Sequence, residues 1–157
     1  MNDSELDRMI DQLNQKQLTD VTVETMTELS LSDSEQSLIK TYVPQNVFII
    51  YGTLAPGKPN HSKVEHIKGE WKSAVIKGGR LESKGWGSKM GYDGFVPVPD
   101  PEQKMDIAAQ ILFSDELTKH WESLDQFEGE GYRRILARYE LADGHKGVGY
   151  VYAINEK

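Results

Sequence analysis

The chain has 157 residues, 38% of them apolar, and no cysteine. That is enough for one domain with a real core, and it excludes a disulfide scaffold, a thiol nucleophile and thiolate metal sites. Its formal charge of -7 is unevenly spread: residues 1–36 hold nine acids against Arg8 and Lys16, and the remaining sixteen acids match the remaining sixteen bases. An acidic leader on a neutral body argues against a nucleic-acid partner, which needs a basic footprint. No stretch reaches membrane-spanning length, and the start lacks the basic patch and apolar run of a secretory signal, so the expected location is cytoplasmic, with no membrane partner.

The leader, residues 1–45, reads as an acidic, partly helical extension. Leu6, Met9, Ile10 and Leu13 recur at helical spacing behind the capping residues Asp3 and Ser4, which predicts a short amphipathic helix whose apolar stripe docks on the body or on a partner, a homodimer included. Leu18 to Met26 is rich in β-branched residues. Ser32-Asp33 caps a second short helix to about Tyr42, which Pro44 ends. Order and disorder of this acidic segment stand level on composition.

The second unit, 46–157, opens with the apolar run Val47 to Tyr51, bounded by Asn46 and Gly52, which predicts a buried strand. Further strands are expected near Ser73 to Ser83, interrupted by Gly78-Gly79, and over Ile107 to Phe113. A glycine-rich loop with Gly85, Gly87, Gly91 and Gly94, interleaved with Trp86 and Tyr92, precedes Pro97, Pro99 and Pro101. A helix-like run extends from Ser114 to Gly129, and Tyr132 to Leu141 and Gly147 to Ile154 form an antiparallel pair around Asp143-Gly144. One main helix among five or six short strands gives an α+β class: a strongly bent mixed sheet or small barrel.

Within the helix-like run, Leu117, Trp121, Leu124 and Glu128 fall on one stripe of a 3.6-residue period. A carboxylate on the apolar side finds a donor or carries a raised pKa, and the latter suits a general base or acid. A helix fraying at Gly129 with Glu128 solvated is the competing reading. Gly52 to Pro59 has the glycine and lysine spacing of a phosphate-binding loop, but Pro59 stands where that loop needs a hydroxyl. The turn keeps another use, because the amides of Thr53 and Leu54, just past a strand, can face an anion; an ordinary tight turn is the competing reading. The four histidines offer no metal spacing. His120-Trp121-Glu122 lacks the thiolates a zinc deaminase needs, and no Gly-x-Ser-x-Gly elbow is present. Trp71, Trp86, Tyr92 and Trp121 read as core residues or as a stacking surface.

Tyr51-Gly52-Thr53-Leu54, then Gly57 and Asn60-His61, then Leu124-Asp125-Gln126-Phe127-Glu128-Gly129 with Tyr132-Arg133-Arg134, resemble the gamma-glutamylcyclotransferase family over residues 46–154. About seventy residues separate turn and glutamate. The resemblance implies a small mixed barrel in which both meet at one pocket. It also implies a gamma-glutamyl amine or amide as small-molecule substrate, 5-oxoproline and a free amine as products, and no metal or cofactor. Glu128 would be the acid-base residue. Tyr51, Gly52, Thr53, Leu54 and Tyr132 would bind substrate, with the turn amides on its α-carboxylate. Glu130, two residues on, is the second candidate acid. The family's turn usually opens the chain, whereas here some fifty residues precede it, and residues 91–99 match only loosely. A non-catalytic module that senses a small acid on the same fold is the alternative.

Overall fold

A computed structural model of the chain describes residues 2–16, 30–83, 91 and 93–155. The β-branched segment Leu18 to Met26, and Gly85, Trp86, Gly87 and Tyr92 of the middle loop, lie outside them. The elements in chain order are α1 (Asp3–Gln15), α2 (Asp33–Tyr42), β1 (Val47–Ile50), β2 (Glu70–Glu82), β3 (Gly94–Pro97), β4 (Met105–Phe113), α3 (Trp121–Glu128), β5 (Tyr132–Leu141) and β6 (Lys146–Ile154).

Five strands close a ring in the order β1, β4, β2, β5, β6, with β6 returning to β1 through the parallel pair Tyr150 and Phe48. The other four joints are antiparallel, so the barrel is mixed. The sixth strand, β3, runs antiparallel to the end of β2 and meets β6 at Phe95 and Ala153. It occupies the end of the expected glycine-rich loop. Phe95 is buried, which gives this short strand its anchor, and Pro97 stands at its last position, where a missing N–H costs least. Gly78, at φ +95°, makes the bulge that lets β2 pair Ile76 with Ile107 and then Gly79 with Met105. A left-handed residue is what such an insertion requires.

Period-2 alternation sorts the strand residues into two cores. Val47, Ile49, Ile111, Ile135, Tyr139, Val151 and Ala153 belong to a cluster built from strands alone, the barrel interior. Phe48, Ile50, Leu112, Leu136, Val148, Tyr150 and Tyr152 belong to a second cluster, shared with all three helices. The leader is part of this outer core: Leu6, Met9, Ile10, Leu13, Leu38 and Ile39 are buried in it. The stripe on which the homodimer expectation rested is therefore occupied within the chain.

Polar contacts fix the leader's register on β5. Asn14 accepts from the Leu136 N–H at 2.8 Å and donates to its carbonyl at 2.9 Å, standing in for a neighbouring strand. Asp7 accepts from Arg138 Nε at 2.8 Å. Ser32 and Glu35 form the reciprocal capping box of α2, and Lys16 reaches Glu35 at 2.8 Å, joining the end of α1 to the start of α2.

The long helix expected over Ser114 to Gly129 is broken in two. A 3-10 turn at Leu117–Lys119 precedes α3. The Ser114 hydroxyl donates to the Lys68 carbonyl and accepts from the Glu116 N–H, tying this entry to the chain before β2 and tightening the first turn into i→i+3 bonds. The apolar stripe survives the break, since Leu117, Trp121 and Leu124 are all buried. The Asp143-Gly144 turn joins β5 and β6 as an antiparallel pair.

Candidate active site

At the end of β1 the chain leaves the barrel through Tyr51 to Leu54. The Tyr51 hydroxyl donates to the Tyr152 carbonyl at 2.7 Å and accepts from the Phe95 N–H at 2.8 Å. It thus pins three strand ends together, and its burial pushes the phenol well above its ordinary range. Beyond it, the loop returns to lock the turn. Asn60 donates from its backbone to the Thr53 carbonyl at 2.8 Å and from Nδ2 to Thr53 Oγ1 at 3.0 Å. His61 Nδ1 lies 2.9 Å from the Leu54 carbonyl, which makes it the protonated nitrogen of the ring. The N–H groups of Gly52, Thr53 and Leu54 donate to no backbone carbonyl or side chain among the described residues. Amides left over in this way at a strand end can face an anion.

Facing the turn is the end of α3. Gly129, at φ +78°, closes the helix by donating to the Asp125 carbonyl at 3.0 Å and swings the chain into β5. Glu128, half-buried, lines a cleft of about 420 Å³ that is open to solvent, together with Tyr51, Gly52, Thr53, Leu54, Asp93, Tyr132 and Tyr152. Burial, with a smaller contribution from the charge of Asp125, raises the Glu128 carboxyl to about 7. Such a group exchanges protons near neutrality. Glu130 is exposed and is not part of the cleft wall; its backbone carbonyl accepts from Asn155 at 3.1 Å.

Glu128, Tyr51, Gly52, Thr53, Leu54 and Tyr132 all line this one cleft, while the second candidate acid, Glu130, does not. Asp93 and Tyr152 were not singled out. Tyr152 comes from the far end of the chain, and only the alternation Tyr150, Tyr152 along a strand hinted at a shared face. Behind Glu128 lies a second layer. Asp125 Oδ1 accepts from the Tyr152 hydroxyl at 2.6 Å and from Arg134 Nε at 2.9 Å, and Oδ2 accepts from Arg134 Nη2 at 3.1 Å. The Arg134 guanidinium sits 4.5 Å from the Trp121 ring centroid and 4.6 Å from that of Tyr150. Trp121 is therefore core, with its Nε1 donating to the Gln45 carbonyl, and Trp71 packs edge-on against His61. Among the described residues, no three His, Asp or Glu side chains gather as a metal site requires, and no helix is long and apolar enough to cross a membrane.

A closed mixed barrel whose strand-end turn and helix-end glutamate share one polar cleft defines a class of small α+β proteins. The statistical profile of the family described as gamma-glutamyl cyclotransferase, AIG2-like, matches residues 48–157, and the chain belongs to that family. Solved structures share the fold. YkqA from Bacillus subtilis is 24% identical with a TM-score of 0.52, covering 70% of this chain and 36% of its own; this chain thus spans about a third of that protein. A protein from Arabidopsis thaliana is 23% identical with a TM-score of 0.50, covering 71% of this chain and 70% of its own. A mouse AIG2-like protein is 19% identical with a TM-score of 0.50, covering 69% and 76%. No curated protein matches the chain.

Proposed function

We propose that the protein is a gamma-glutamyl cyclotransferase that cleaves a gamma-glutamyl amine or amide by intramolecular attack. The observation that carries this reading is the pairing, in one cleft, of the amide cradle at Gly52 to Leu54 with a glutamate raised to about 7. The cradle takes the substrate's α-carboxylate. Glu128 then removes a proton from the α-ammonium, because an ammonium has no lone pair with which to attack. The freed amine adds to the γ-carbonyl carbon and closes a five-membered ring. As the tetrahedral centre collapses, the bond to the departing nitrogen breaks, Glu128 returns its proton to that nitrogen, and the remaining extra proton of the ring nitrogen passes to the departing amine, releasing 5-oxoproline and an ammonium.

Such a sparse site suffices because the nucleophile is part of the substrate. Holding amine and carbonyl together in a well-oriented intramolecular reaction can remove roughly 7–11 kcal/mol of barrier, more than a single acid-base group supplies. Tyr51 contributes its ring to the wall and its hydroxyl to the scaffold.

Mass spectrometry of 5-oxoproline tests the reading, with wild type and Glu128→Gln incubated with gamma-glutamyl amino acids, gamma-glutamyl amines and ε-(gamma-glutamyl)lysine. Wild type should release 5-oxoproline, and the variant should be slower by about 10² or more. Normal turnover by Glu128→Gln would remove this residue from the chemistry. Free glutamate in place of 5-oxoproline would mean hydrolysis, and binding without release would mean a sensing module.

A further inference from the structure

The Glu128 side chain leaves α3 from its last turn, where a helix ordinarily frays. One turn earlier on the same helix stands Asp125. Its carboxylate is gripped from two strands, by Arg134 of β5 through two N–H donors and by the Tyr152 hydroxyl of β6. The arginine cannot swing away, because it is stacked between Trp121 and Tyr150 and its side chain is 1% exposed. Tyr152 ties the same carboxylate to the cleft wall, since it also lines the space into which Glu128 opens. The network therefore connects the barrel, the helix end and the cleft through one acidic side chain, with three donors at 2.6–3.1 Å.

We propose that Asp125 is a positioning residue: clamped by Arg134 and Tyr152, it holds the last turn of α3 so that the Glu128 carboxyl stays in the cleft, and it sets the electrostatic field in which that carboxyl exchanges its proton. The inference rests on the cyclotransferase reading for its catalytic meaning but not for its physical content. Several groups face Glu128. The charge of Asp125 acts on it from its own helix, and Tyr51 from the end of β1, Tyr132 from β5, Tyr152 from β6 and Asp93 from the approach to β3 line the same cleft, with Arg134 behind Asp125. Burial pushes the Tyr51 and Tyr152 phenols far up, so they remain neutral hydroxyls while Glu128 titrates. Asp125, its side chain 38% exposed but held by three donors, is the neighbouring charge whose removal should be felt.

The clamp makes a two-signed forecast. Asp125→Asn removes the negative charge and should lower the Glu128 midpoint by about half a pH unit or more. Tyr152→Phe removes a donor that spreads the Asp125 charge, leaving that charge less damped, and should raise the midpoint. Carbon-13 NMR titration of the Glu128 carboxyl reads both shifts without substrate. The acid limb of kcat/KM should move the same way in each variant, with kcat down about tenfold or more in Asp125→Asn and KM changed less than twofold, because the cradle is untouched. A merely structural role predicts unmoved midpoints, and unmoved or same-direction shifts in the two variants would overturn the proposal. Should Asp125→Asn fail to fold, Tyr152→Phe decides alone, an upward shift supporting the clamp and no shift overturning it. Shifts of opposite sign with no 5-oxoproline from any substrate would keep the clamp and sink the reaction, whereas turnover with a Glu128 midpoint near 4.5 in every variant would do the reverse.

Discussion

Arg134 and Arg138 share the outer face of β5, with Leu136 between them, and each offers its guanidinium to a carboxylate on a helix. Arg134 meets Asp125 of α3 beneath two aromatic rings, with its side chain 1% exposed. Arg138 meets Asp7 of α1 at the rim, 9% exposed, with Asp3 and Glu140 within 4 Å and Lys146 competing for Asp3. One strand thus carries two helices by the same chemistry at two depths. The depth of the arginine, not of its carboxylate, separates the two pairs. Arg134 is the desolvated member of its pair, Asp125 being 38% exposed against 24% for Asp7, so its hold on geometry comes from stacking between two rings as well as from the carboxylate, whereas Arg138 depends on its carboxylates and is screened by water and salt.

Removing the deep arginine should have the largest effect. Arg134→Ala removes a buried side chain stacked between two rings and leaves the 38% exposed Asp125 to water, and urea unfolding should show a loss of about 2–4 kcal/mol, chiefly from lost packing. A cost no larger than that of Arg138→Ala would end the comparison. An intermediate effect is expected at Glu128. Its carboxyl is raised in the folded state, so the native protein holds the proton more tightly than the unfolded chain, and stability falls as pH rises from about 4.5 to about 7. Glu128→Gln should therefore be more stable than wild type above pH 8, by on the order of 1–3 kcal/mol allowing for its partial exposure, and equal to it below pH 4. Thermal melts across pH 4–9 would show whether the two curves converge at the acid end. The smallest effect belongs to the rim: Arg138→Ala should cost about 1 kcal/mol at low salt and much less at 1 M salt.

Much of this architecture was legible in local pattern. The apolar run of β1, the Asp143-Gly144 hairpin and the capping box at Ser32 each depend on neighbours in sequence, and all are present. The meeting of the turn and Glu128 at one cleft was expected from the family resemblance, while local pattern offered only a glycine after a buried strand and a carboxylate on an apolar stripe. What stayed hidden was whatever depends on closure. The Phe48–Tyr150 pair that seals the barrel joins residues a hundred apart, and no periodicity encodes it. Asp125 looked like an ordinary helix acid until the barrel delivered Tyr152 and Arg134 to it. The strand at Gly94–Pro97 was masked by the glycines and prolines that flank it, although Phe95 gives it a buried anchor. The leader's stripe was visible, but its destination was not, since α1 is recognised by a β5 backbone that exists only after the sheet forms.

The hydrogen bonds between Asn14 and Leu136 span 122 residues, and this separation carries a temporal cost. The stripe of Leu6, Met9, Ile10 and Leu13 is made early, while the strand that will cover it is made almost last. At a synthesis rate of about 5–20 residues per second, those four side chains wait on the order of 6–24 seconds on the ribosome before Leu136 and Arg138 exist to receive them. During that interval the nascent chain displays an apolar helix face without its own partner, a natural point for chaperone capture or for aggregation.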